Sequence, residues 1–113
     1  MLYKKETHTT ETRERMRGGN GAVELTALAT EIPKNLRLFS MVRLAPCASI
    51  GYHVHENETE LYHFLAGSGV VDDNGTPVRV SAGDTISTPN GFGHSVENDG
   101  GEELVFLAAI VRD

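Results

Sequence analysis

The chain has one cysteine, Cys47, no tryptophan, and only four prolines in 113 residues. A lone thiol excludes an internal disulfide and fits a reducing cytoplasm, the expected compartment. Positive charge is scarce too: ten Lys and Arg stand against sixteen Asp and Glu, a net charge of −6. With no stretch in which basic residues cluster, this balance speaks against a nucleic-acid surface. The longest apolar run, Leu104 to Val111, has eight residues, far short of a membrane span. Lys4 and Lys5 have no apolar stretch behind them, so no secretory signal is visible. What is present, 39% hydrophobic residues in a chain of this length, suits one globular domain able to bury a core.

Residues 1–17 are polar, mixed in charge and rich in Glu, Thr and Arg, and read as an exposed N-terminal arm or a turn of helix. Gly18, Gly19 and Gly21 then mark a turn, and residues 18–113 form the domain proper. Helix signals are poor there. Short apolar runs bounded by turn residues predict strands at 22–28, 36–44, 49–55, 60–66, 69–72, 78–80, 85–88, 94–98 and 103–111. Asn74-Gly75 is the strongest hairpin signal, because a type I′ turn requires positive φ at both central residues. So many short strands in so few residues point to an all-β jelly roll or small barrel.

His53-Val54-His55 is the most informative local feature. Side chains alternate along a strand, so both imidazoles share one face. With Glu60 and His94 they form a nitrogen/oxygen donor set of borderline softness. Such a set suits a divalent transition metal (Mn, Fe, Ni or Zn) better than Ca²⁺. The competing reading is histidines that are merely exposed or packed in the core.

The spacing around these residues resembles the two motifs of the cupin superfamily, G-x5-H-x-H-x3,4-E-x6-G and G-x5-P-x-G-x2-H-x3-N, across residues 47–98. His53, His55, Glu60, Gly67, Gly83, Pro89, Gly91, His94 and Asn98 fall on motif positions, whereas Cys47 stands where the first glycine is expected. That departure implies local backbone strain or a different turn. The resemblance implies a double-stranded β-helix with His53, His55, Glu60 and His94 holding one metal ion in the barrel mouth. Two of six octahedral positions would then stay open for a small ligand.

Met16-Arg17-Gly18-Gly19 and Gly51-Tyr52-His53 are also similar to segments of small cupins described as oxalate-decarboxylase-like. Oxalate decarboxylases, however, carry an arginine three residues before the first metal histidine, where this chain has Ile50. The expected function is therefore a metal-dependent dioxygenase, decarboxylase or isomerase acting on a small carboxylate or carbonyl compound. The alternative is a non-enzymatic binding or sensor module. Tyr62, which shares parity with Glu60, is expected to line the pocket, together with Ile50, Met41 and Phe92. Glu58 is a further candidate, as a competing ligand or nearby base, while His63 should face outward. Small cupins pair through their sheets, so a homodimer is expected.

Overall fold

The computed structural model describes residues 1–113. Ten strands account for nearly all regular structure: β1 (Thr9–Glu14), β2 (Ala22–Ala27), β3 (Leu36–Leu44), β4 (Ser49–Val54) and β5 (Glu58–Ala66), then β6 (Ser68–Asp73), β7 (Thr76–Ser81), β8 (Thr85–Thr88), β9 (Gly93–Glu97) and β10 (Leu104–Arg112). Two single-turn 3-10 segments, Lys5–Thr7 and Met16–Gly18, are the only helical pieces. No helix is long and apolar enough to cross a membrane. A six-stranded sheet in the order β1-β2-β3-β10-β5-β8 faces a four-stranded sheet in the order β4-β9-β6-β7. Every pairing is antiparallel.

Alternation decides what each sheet buries. On β3 the even residues Ser40, Val42 and Leu44 are buried, and on β10 so are Leu104, Phe106, Ala108 and Ile110. Val71, Val80 and Val96 close the core from the opposite sheet. Tyr62, Phe64 and Phe106 pack ring on ring beneath the later site, with centroids 4.3 to 6.2 Å apart. Each such side chain is worth roughly 1.5–3 kcal/mol of burial. The Asn74-Gly75 turn takes φ values of 49° and 99°, as a type I′ hairpin demands, and joins β6 to β7 in register.

The polar arm differs from expectation. Its side chains are exposed, but residues 9–14 are a strand that pairs with β2 along its whole length, from Thr9 opposite Ala27 to Glu14 opposite Ala22. Because no β1 side chain is buried, the segment carries no apolar alternation to read. The ladder and the Thr10–Thr26 hydroxyl contact of 2.8 Å hold it instead.

Two bulges re-aim side chains. Between Ile50 and His53, three steps on β4 match two on β9, from Ile50 opposite Val96 to His53 opposite His94. The extra residue lets Ile50 enter the core while His53 and His55, of opposite parity, also turn inward. On β3, Leu38 and Leu36 pair with consecutive residues of β10, so Arg37 is the bulged residue. Though still exposed, it lines the same cavity as Leu38.

Candidate metal centre

The β4–β9 ladder sets His53 directly across from His94, and His55 follows at the end of β4. Glu60 reaches the same point from β5, on the opposite sheet. One donor atom from each of the four lies within 4.8 Å of the others. The three imidazole rings meet edge-on, with centroids 4.7 to 4.9 Å apart. His55, Glu60 and His94 are buried, His94 completely, and His53 is half-buried.

Outer partners fix each ring. His53 donates from Nδ1 to the Gly51 carbonyl at 2.8 Å, and His55 donates from Nδ1 to Glu58 at 2.6 Å. Thr88 Oγ1 lies 2.8 Å from His94 Nδ1, placed there because Thr88 pairs with Glu60 in the β5–β8 ladder. A carbonyl and a carboxylate can only accept, so the protons of neutral His53 and His55 sit on Nδ1 and their Nε2 atoms present lone pairs. Those atoms approach His94 Nε2 at 3.2 and 3.0 Å, and Glu60 Oε1 lies 3.0 Å from Nε2 of both His55 and His94. Acceptors converging this closely share a cation, a proton in the metal-free protein or a metal ion, and the donor set fits a divalent transition metal.

The electrostatics agree with that geometry. In the metal-free protein, where protons on Nε2 take the ion's place, burial opposes charge on Glu60, but hydrogen bonds from His55 and His94 outweigh it and hold the carboxyl at about 2. The Glu60 carboxylate also raises the pKa of His55, against desolvation, with Glu58 adding to the effect. His53 is shifted down, chiefly by burial. Arg37 grips Glu58 through Nε and Nη2 at 2.8 and 2.9 Å and lowers its pKa. Glu58 is therefore a committed carboxylate that orients His55 and does not join the four converging donors.

A cavity of about 90 Å³ opens over these groups, several-fold below the roughly 300–1,000 Å³ of drug-sized pockets. Its polar wall is His53, His55, Glu60 and Tyr62; Leu38 and Ile110 supply apolar surface. Three arginines, Arg13, Arg17 and Arg37, also line it. A second depression, beside Gly67, Ser68 and Glu102, has no apolar lining residue and lacks any such convergence of donors.

Of the pocket residues expected from sequence, Tyr62 lines this cavity and stacks on His94, with centroids 4.8 Å apart and planes 19° from parallel. Its phenol is pushed well above its ordinary pKa of 10, by burial first and then by Glu60. Ile50, Met41 and Phe92 do not line it. Ile50 is buried in the core behind the β4 bulge, and Met41 lies on the outer face of β3 with Phe39 and Arg43. Phe92 is 42% exposed in the turn before β9. His63 points outward, as its parity requires, and meets Thr85 at 2.8 Å. Sequence reasoning gave no role to Arg37 or Thr88. Arg37 depends on a bulge and Thr88 on ladder register, neither visible in spacing.

Two antiparallel sheets closed around three imidazoles and a carboxylate define a cupin barrel. The chain belongs to the cupin domain family (Cupin_2), whose pattern matches residues 40–110. It is similar to the oxalate-binding protein of Thermotoga maritima, 42% identical over 113 residues that cover 98% of this chain and 93% of that protein. Among solved structures, a predicted oxalate decarboxylase from the same organism matches with a TM-score of 0.95 at 41% identity, over 100% of both chains. The cupin domain of Schizosaccharomyces pombe Cnp3 matches at 0.75 and 17% identity, covering 91% of this chain and 69% of that one, a likeness of fold.

Proposed function

We propose that this cupin is a metal-dependent receptor for a small carboxylate. His53, His55, Glu60 and His94 hold one divalent ion, Mn, Fe, Ni or Zn, and the ligand enters through the cavity above them. The observation that carries this reading is the convergence of three imidazoles and a carboxylate beneath a cavity lined by three arginines. The bound ion supplies Lewis acidity and open positions; the chain supplies orientation and charge. Glu58 and Thr88 hold the rings in place, Leu38 and Ile110 exclude water, and Arg17, the one arginine at the cavity without a carboxylate partner, attracts an anion. The oxalate-binding character of the Thermotoga relative supports a carboxylate as the ligand class. The free thiol at Cys47 fits work in the cytoplasm.

Catalysis, as a dioxygenase, decarboxylase or isomerase, is the second reading, carried by Tyr62. Its phenol stays protonated at the cavity wall and can donate to a bound anion. Against it, Glu58 is tied to Arg37 and His55 and offers no free acid or base. Calorimetric titration of oxalate into metal-loaded and metal-stripped protein tests the receptor reading. Binding is expected only with metal present; equal binding by both forms overturns it.

The protein also acts as a homodimer in this proposal. Phe39 and Met41 of β3, Leu61 and Leu65 of β5, and Leu107 and Ala109 of β10 lie on the outer face of the six-stranded sheet, with Leu61 and Leu65 40% and 46% exposed. An apolar patch of this kind on a sheet face is best covered by a second copy. Light scattering should give twice the chain mass at micromolar concentration and the single mass for Leu61→Glu. A monomeric wild type contradicts the dimer.

A further inference from the structure

The three guanidinium groups around the cavity are not equivalent. Arg37 is bound at both Glu58 oxygens, and Arg13 pairs with Glu11 at 2.9 Å on the surface. Arg17 makes no hydrogen bond or ion pair with any side chain, although it lines the same cavity as His53, Glu60 and Tyr62. Its charge is felt at His53 and at Tyr62. β4 cannot supply a cation here, because Ile50 is buried beneath the bulge.

Arg17 is also held in place. Arg15 and Arg17 both adopt left-handed backbone, at φ 50° and 55°, which costs a non-glycine residue about 1–2 kcal/mol. Such strain persists only where its surroundings enforce it. Here the Met16–Gly18 turn is clamped onto β4. A Cβ at Gly51 would fall 2.0 Å from the Arg17 carbonyl oxygen, and one at Gly19 would fall 2.2 Å from that of Ser49. Only two glycines allow these backbones to touch. Ser49 and Asn20 close the clamp, with Ser49 N–H donating to the Asn20 carbonyl at 2.9 Å and Asn20 N–H to Ser49 Oγ at 2.8 Å.

Charge balance then sets the ligand class. A divalent ion brings two positive charges, Glu60 removes one and Arg17 restores it, while the other two arginines are already neutralised. The cavity is left with two positive charges and little volume. We propose that Arg17 is the specificity-determining residue of this site, selecting a compact dicarboxylate dianion over a monocarboxylate. One carboxylate of the ligand faces the metal position and the other faces the planar guanidinium, whose fork matches it. This rests on the carboxylate-receptor reading above.

The test compares oxalate with oxamate, its isostere in which one carboxylate is a neutral amide, by calorimetry on Mn²⁺-loaded full-length protein. Arg17→Asn removes the charge with a residue that tolerates left-handed backbone, and Arg17→Lys keeps the charge without the fork. Wild type should prefer oxalate. Arg17→Asn should lose oxalate affinity at least about tenfold, while oxamate affinity, metal content and melting temperature stay near wild type; Arg17→Lys should fall between. Unchanged oxalate binding in Arg17→Asn overturns the proposal, as does an equal loss for both ligands, which would make the turn mere packing. Failure of loaded wild type to bind either ligand overturns instead the receptor reading on which the proposal rests.

Discussion

His53 and His94 are register partners across β4 and β9, and their Nε2 atoms stand 3.2 Å apart. Strand pairing alone brings them together, so the barrel builds half of the donor set before any loop is placed. Glu60 completes it from the opposite sheet. The site therefore depends on the two sheets closing in register, and its fine geometry on the groups behind each ring.

Glu58 is the most exposed to test among those groups. It receives the His55 proton at 2.6 Å and is itself held by Arg37. Removing such a partner commonly lowers metal affinity about 10–100-fold. Glu58→Gln should weaken metal binding within that range and leave the stoichiometry at one ion per chain, as read by competition with a chromophoric chelator. Wild-type affinity would mean that His55 needs no partner.

Acid and base should both destabilise the metal-free protein, through different groups. Glu60 falls from an ordinary 4.5 to about 2 on folding. A depressed pKa contributes stability that is complete above pH 4.5 and lost as pH falls toward 2, on the order of 3 kcal/mol for this shift. His55 is raised above its ordinary 6.5, so its contribution is present below 6.5 and lost as pH rises through the folded value. His53, shifted down by burial, adds to the loss below 6.5, so metal-free melting temperature should be highest near pH 6.5 and decline on both sides. Glu60→Gln should flatten both limbs in a thermal-melt series across pH. A wild-type profile in the mutant would place the linkage elsewhere.

Cys47 occupies the motif's glycine position with φ at 71°, the strain that the sequence departure implied. Its N–H donates to the Asn98 carbonyl at 3.0 Å, and the Asn98 amide donates to the carbonyls of Leu44 and Glu102, pinning the turn. Cys47→Gly relieves roughly 1–2 kcal/mol of left-handed cost against the lower backbone entropy of the unfolded cysteine chain. The net gain should be about 0.5–1 kcal/mol by urea unfolding. A loss of stability would show that the turn bears no strain.

The residues that alternation and turn chemistry control were legible in the sequence. His53 and His55 share a face, Asn74-Gly75 forms the hairpin, and motif spacing brings Glu60 and His94 to them. What escaped depends on interruptions of alternation or on partners distant in sequence. The bulge brings Arg37, of outward parity and still exposed, to the cavity rim, while Met41, four residues on, faces out. Strand β1 is invisible because it buries nothing. Thr88 meets His94 only through the β5–β8 register. Arg17 lay in a segment with a known resemblance, but its position over the cavity follows from the contact between Gly19 and Gly51, which no periodicity reports.

Elemental analysis of protein purified without chelator decides whether His53, His55, Glu60 and His94 form one metal centre. Wild type and His63→Ala should hold about one divalent transition metal per chain, and His94→Ala none. Equal metal in all three proteins, or none in wild type even after reloading, would contradict it.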